Sequence, residues 1–230
     1  MAETTEFAAP KGTLIITGAN GGLGVAMVRR IVSRPDLAAL HGVYMVRSST
    51  APALRSAIDN AVRPHSHEVV PLDLTRLQDV RRIAADINSR VEAGEVPPIR
   101  ALILNAAYLE FTEQTWTEDG FDTSFASAYL GHWLLTLLLL QSMDRESGRI
   151  VVINSSAHET TNKSSGDLIA AAFDCNSTLG EQPKGFYLDG EQRREMAAEA
   201  RDPKKREVLW RDTLRYTGLK EIETILADWA

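Results

Sequence analysis

Apolar residues along this chain fall into two kinds of run that alternate. Short, nearly continuous runs lie at 13–16, 42–46, 67–72, 101–104 and 149–153. Between the first four, at 25–31, 51–62 and 77–91, apolar positions recur every three or four residues, with Leu77, Val80, Ile83, Ala84, Ile87 and Val91 on one face. The first spacing is that of strands covered on both sides, and the second that of amphipathic helices. Strands and helices in turn predict an α/β domain around a parallel sheet, because each return to a parallel strand needs a helical crossover. Pro35 ends the first helix, Gly94 with Pro97-Pro98 ends the third, and Thr75 reads as the third helix's N-cap. Phe125, Tyr129 and Trp133, spaced four apart, read as core or packing residues. The leucine-rich 134–140 is too short to span a bilayer and predicts a buried helix.

The pattern lapses over about 159–206, which is polar and charged and is broken by Gly166, Gly180, Gly185 and Gly190. This predicts an insertion, with a helix around 190–201. The 230 residues suit one domain, and 44% apolar and 24% charged content is that of an ordinary globular chain. A net charge of −6 disfavours nucleic-acid binding. Cys175 is the single cysteine, so neither an internal disulfide nor a cysteine-cluster metal site is expected. The first twelve residues do not read as a secretory signal, so a cytoplasmic protein without membrane association is expected.

Candidate chemistry begins at Thr17-Gly18-Ala19-Asn20-Gly21-Gly22-Leu23-Gly24, between the first strand and the first helix. Glycines there let the backbone turn tightly and approach a pyrophosphate, while the helix start offers free N–H groups and a positive dipole end. The spacing T-G-x-x-x-G-x-G, with Gly18, Gly22 and Gly24, resembles the short-chain dehydrogenase/reductase family in its shorter single-domain form. The resemblance implies a doubly wound, Rossmann-like sheet in the order 3-2-1-4-5. The chain stops soon after Lys220, before the family's last two strands, which leaves strand five an edge for the insertion or a second subunit of a homo-oligomer to cover.

The same resemblance assigns roles. Gly18, Asn20, Gly22, Leu23 and Gly24 belong to the cofactor turn. At the end of strand two, Val46 stands where a carboxylate would hold the ribose of NAD, and Arg47 with Ser48 and Ser49 suits the 2′-phosphate of NADP. Asp73-Leu74 matches the adenine contact, and Asn105-Ala106 the family's N-N-A-G after strand four. Ala128 occupies the place of the family's relay asparagine. In Asn154-Ser155-Ser156-Ala157-His158, Ser155 is the residue expected to orient a substrate carbonyl, with Ser156 as the alternative. The family's Y-x-x-x-K is matched by Tyr216 and Lys220, which i, i+4 spacing sets on one helical face. Tyr187 competes, but Glu191 four residues on would raise its phenol pKa. Tyr216 would exchange a proton while Lys220 lowers the phenol from its usual value of about 10 and holds the ribose. The expected reaction is hydride transfer between nicotinamide and a small carbonyl or alcohol compound. A cofactor-binding protein without turnover is the alternative.

Overall fold

In the computed structural model the described residues are 10–48, 50–108, 110, 112–154, 171–174, 180, 185–189 and 192–226. Five strands, β1 (Thr13–Thr17), β2 (His41–Val46), β3 (His67–Pro71), β4 (Ile99–Leu104) and β5 (Arg149–Val152), form one parallel sheet in the order β3-β2-β1-β4-β5. The expected strand order holds. Helices α1 (Gly22–Ser33), α2 (Pro52–Asp59), α3 (Leu77–Glu92) and α4 (Thr123–Ser142) follow the first four strands.

The two-residue period of the strands divides the core into two layers. Ile15, Val43, Met45, Leu102 and Leu104 point to one face, where they meet Val80, Ile83 and Ile87 of α3 and Leu130, Leu134 and Leu135 of α4. Leu14, Ile16, Tyr44, Val46 and Ile103 point to the other, against Met27, Val28 and Ile31 of α1 and Leu54 of α2. β1 is buried throughout, while β5 leaves Ile150 and Val152 39% and 66% exposed at the sheet edge. Residues 171–174 dock beside that edge: Arg149 donates to the carbonyls of Ala171 and Asp174, and Ala172 is buried on the α1 side.

Thr75 does not cap α3. Its N–H and hydroxyl both go to the Asp73 carboxylate, and the cap position falls to Arg76. The helix expected around 190–201 is also absent as such. Tyr187–Asp189 (β6) and Gln192–Arg194 (β7) pair as an antiparallel hairpin, and helix resumes only with the single turn α5 (Ala198–Arg201). Two positions separate the paired runs, and a glycine as the first of them is a hairpin signal that overrides weak helical spacing.

The last helix, α6 (Pro203–Thr217), lies on α4 and runs antiparallel to it. Trp210 meets Trp133 edge-to-face at 5.2 Å, the Thr213 hydroxyl lies 3.1 Å from that of Tyr129, and Tyr216 meets Phe121 at 5.7 Å. Arg81 of α3 fastens its end, donating to the carbonyl of Thr217 at 2.8 Å and pairing with Glu223.

Candidate functional site

The glycine turn is built from residues with no room for a side chain. Gly18 has φ +65°, and a Cβ there would lie 2.9 Å from the Cα of Ala106. At Gly24 a Cβ would lie 2.3 Å from the Gly18 carbonyl oxygen, so the first turn of α1 packs directly on the loop. Gly22 differs: nothing stands within 4 Å of where its Cβ would be, so the backbone there faces open space. Gly21 caps α1 without a side-chain hydrogen bond, while Asn20 and the 39%-exposed Leu23 flank the opening. An uncapped helix start with positive dipole beside an open, Cβ-free cradle fits the diphosphate of a dinucleotide.

Asn105 locks this turn to β4. Its Nδ2 donates to the carbonyls of Thr17 at 2.9 Å and Gly18 at 3.1 Å. Thr17 answers in the other direction. Its hydroxyl oxygen accepts the N–H of Asn105 at 2.9 Å and of Ala106 at 3.0 Å, and lies 2.8 Å from Nε2 of His132. With both lone pairs engaged, the Thr17 hydroxyl must donate to His132. The imidazole proton then sits on Nδ1, which faces the carbonyl of Ala128. His132 is 5% exposed, and burial pushes it down to about 4, so it is neutral at pH 7. α4 widens here into a π-segment (Ala126–Leu130), whose Ala126 carbonyl accepts from Gly131 N–H. Gly131 lets α4 press against the β3–α3 connection, since a Cβ would lie 2.3 Å from the carbonyl oxygen of Leu74. The sequence reading gave neither Thr17 nor His132 a role. The signal was a histidine inside the apolar run Leu130 to Leu135, a place that demands a hydrogen-bond partner.

At the sheet's carboxyl edge, Arg47 and Ser48 follow β2 and are exposed. The Arg47 guanidinium lies 6.0 Å from the ring centre of Tyr108, a residue of the loop after β4. The hydroxyl of Tyr108 donates to Glu110, whose carboxylate raises its pKa. Asp73 folds back on Thr75, with Oδ1 taking both bonds at 3.0 and 2.7 Å, and Leu74 is buried beneath it. Gly18, Gly22, Gly24, Asn105, Ala106 and the two ends of this cleft are thus brought together by the crossovers from β1, β2 and β4.

Tyr216 and Lys220 do not share a helical face. α6 ends at Thr217, Gly218 takes the left-handed conformation at φ +59°, and Lys220 beyond it is extended. A glycine after the last helical residue is a stop signal, and it lies inside the Y-x-x-x-K spacing. Tyr216 is 38% exposed, with its ring edge on Phe121 and its hydroxyl 3.4 Å from the Arg215 guanidinium. The exposed Lys220 donates its backbone N–H to Glu223. Ser155, its alternative Ser156, Ser49, Cys175 and Glu191 lie outside the described residues.

A family model described as short chain dehydrogenase matches residues 12–166. Short-chain dehydrogenase iccH of Talaromyces variabilis is 49% identical over 179 residues, covering 76% of this chain and 47% of that protein. The WW domain-containing oxidoreductase of Danio rerio is 36% identical over 182 residues, covering 76% and 39%. The chain therefore spans half or less of the length of these relatives. Among solved structures, an uncharacterised protein from Mycobacterium paratuberculosis superposes with a TM-score of 0.62 at 21% identity, over 93% of this chain and 96% of that one. The NADPH-bound carbonyl reductase from chicken fatty liver gives 0.50 at 18% identity, over 65% and 61%.

Proposed function

The chain belongs to the short-chain dehydrogenase family of oxidoreductases, and we propose that it transfers a hydride between NADP and the carbonyl or alcohol carbon of a small molecule. The observation that carries this reading is the cleft itself: an open cradle at Gly22 over an uncapped helix start, with Arg47 at the end of β2. The N–H groups at the start of α1 hold the diphosphate, and Asn105 keeps the turn in shape for it. Asp73-Leu74 borders the adenine, while Arg47 with Ser48 holds a 2′-phosphate through a planar, permanently charged fork. A bound nicotinamide supplies the hydride. Ser155 orients the substrate oxygen, and Tyr216 gives or takes the accompanying proton.

Titration with NADPH and NADH tests the cofactor half. NADPH binds at least several-fold tighter, and Arg47→Ala removes most of that preference. Equal affinities in the native protein would overturn the NADP reading.

A second reading, a cofactor-binding protein without turnover, is favoured by the Gly218 stop between Tyr216 and Lys220 and by Ala128 in the asparagine's place. A carbonyl screen with NADPH separates the two. On the first reading turnover is found, and Tyr216→Phe abolishes it while cofactor affinity stays within twofold. On the second, NADPH binds and no carbonyl compound is reduced.

A further inference from the structure

A cavity of about 540 Å³ lies between α6 and the beginning of α4, and its lining includes none of the residues of the glycine turn, the β2 end or the β4 end. Its walls are apolar: Phe125 of α4 faces Val208, Leu209 and the ring of Tyr216 on α6. Val208 and Leu209 are 46% and 48% exposed, and Phe125 is 37% exposed, so these apolar surfaces stand open together. The α6 residues follow from helical spacing, since Lys204, Val208, Asp212 and Tyr216 are four apart and Lys205 and Leu209 form a parallel row. Such a patch rimmed by polar groups marks a binding surface.

Its charges give it a direction. Lys204 and Lys205 stand at one end, and neither ammonium has an ion pair among the described residues. The carboxylate nearer the other end, Asp212, is already paired with Arg215 at 3.5 Å, so it does not neutralise the lysines. That pair leaves the Tyr216 end without the excess positive charge that the lysines give the other end. Lysine stems add apolar surface while their charged heads remain in water, which suits a ligand that is apolar along its length and anionic at one tip.

We propose that this groove binds an amphipathic monoanion, an unbranched carboxylate of about a dozen carbons, with its carboxylate at Lys204 and Lys205 and its chain along Val208, Leu209 and Phe125. The length follows from the helix: eleven residues separate Lys205 from Tyr216, roughly 16 Å at the helical rise. An extended alkyl chain advances about 1.3 Å per carbon, given bonds of about 1.5 Å. The volume is within the range of small-molecule sites. The site takes its ligand whether or not Tyr216 exchanges a proton, and it goes beyond the oxidoreductase reading.

Calorimetric titration of the full chain with dodecanoate, dodecanol and octanoate, the acids kept below their micelle concentrations and the alcohol below its solubility limit, tests it. Dodecanoate binds saturably. Dodecanol, without the charge, and octanoate, four methylenes shorter, each bind at least tenfold more weakly. The double substitution Lys204→Glu with Lys205→Glu weakens dodecanoate at least tenfold, while Arg206→Glu, a reversal outside the groove, changes it less than twofold. Circular dichroism of each variant checks that α6 remains folded. No saturable binding, equal affinity for acid and alcohol, or equal losses in the two charge variants would overturn the proposal. So would concentration-dependent self-association that Val208→Glu abolishes, without dodecanoate binding, because a second copy would then be the occupant. None of these measurements uses a nucleotide, so a negative result leaves the NADP reading standing, and a failed NADPH titration leaves this one standing.

Discussion

One hydroxyl, that of Thr17, joins three elements: its own strand, the end of β4 and the middle of α4. Replacing it by valine keeps the shape and removes the oxygen. The N–H groups of Asn105 and Ala106 and Nε2 of His132 then lose their partner in a place where water does not reach His132. Each stranded buried group costs about 1–3 kcal/mol, and relaxation recovers part of that, so Thr17→Val should destabilise the fold by about 3 kcal/mol. Thr17→Ser, which keeps the oxygen, should cost less than half as much. Urea unfolding of the two variants makes the comparison, and a Thr17→Val loss no larger than that of Thr17→Ser would show that the hydroxyl contributes no more than the γ-methyl that serine lacks. Gly18 binds the same junction from the other side, because its missing Cβ is what admits Ala106.

At the scale of elements, α6 is where a residue pattern and a helix part company. The glycine turn, the five strands and the first three helices were legible because each carries a strong periodic or steric signal of its own. Asn105 was legible as part of the motif after strand four, and its carboxamide holds nearby backbone at two carbonyls. Tyr216 and Lys220 were matched by spacing alone, and spacing says nothing of Gly218 between them. The direction of α6 along α4 depends on contacts between residues some eighty positions apart, Tyr129 with Thr213 and Trp133 with Trp210, which no local pattern encodes. Gly218→Ala puts a Cβ at φ +59°. A cost of about 1 kcal/mol is expected, read as a lower unfolding midpoint, together with loosening of buried Leu219 and the Arg81–Glu223 pair. An unchanged midpoint would show that the turn is not held in the left-handed conformation.

Over the whole molecule, two histidines and one glutamate are displaced from their usual titration in the direction that weakens the fold in acid. His132 is lowered from 6.5 to about 4, chiefly by burial, and the half-buried His65 moves the same way. Glu68, bonded to His41 and Arg90, is lowered from 4.5 to about 2. For each, the unfolded chain holds the proton more tightly, so the stabilisation is complete above the unfolded value and is lost as pH falls towards the folded one. The histidine loss therefore comes first, between pH 6.5 and about 4, and the Glu68 loss follows between 4.5 and about 2. His132 alone should account for on the order of 3 kcal/mol. Urea midpoints measured from pH 7.5 to 4.5 should decline, and less steeply in His132→Gln; a flat native profile would refute the buried neutral imidazole. That imidazole also fixes the sense of a chain crossing the sheet. Hydrogens point one way throughout, from the amides of Asn105 and Ala106 to Thr17, from Thr17 to His132, and from His132 to Ala128. Dipoles aligned head to tail strengthen one another, yet none can pass a proton backwards unless every donor in the row reverses. The row is an anchor rather than a wire: it holds three elements in register and carries no proton between them.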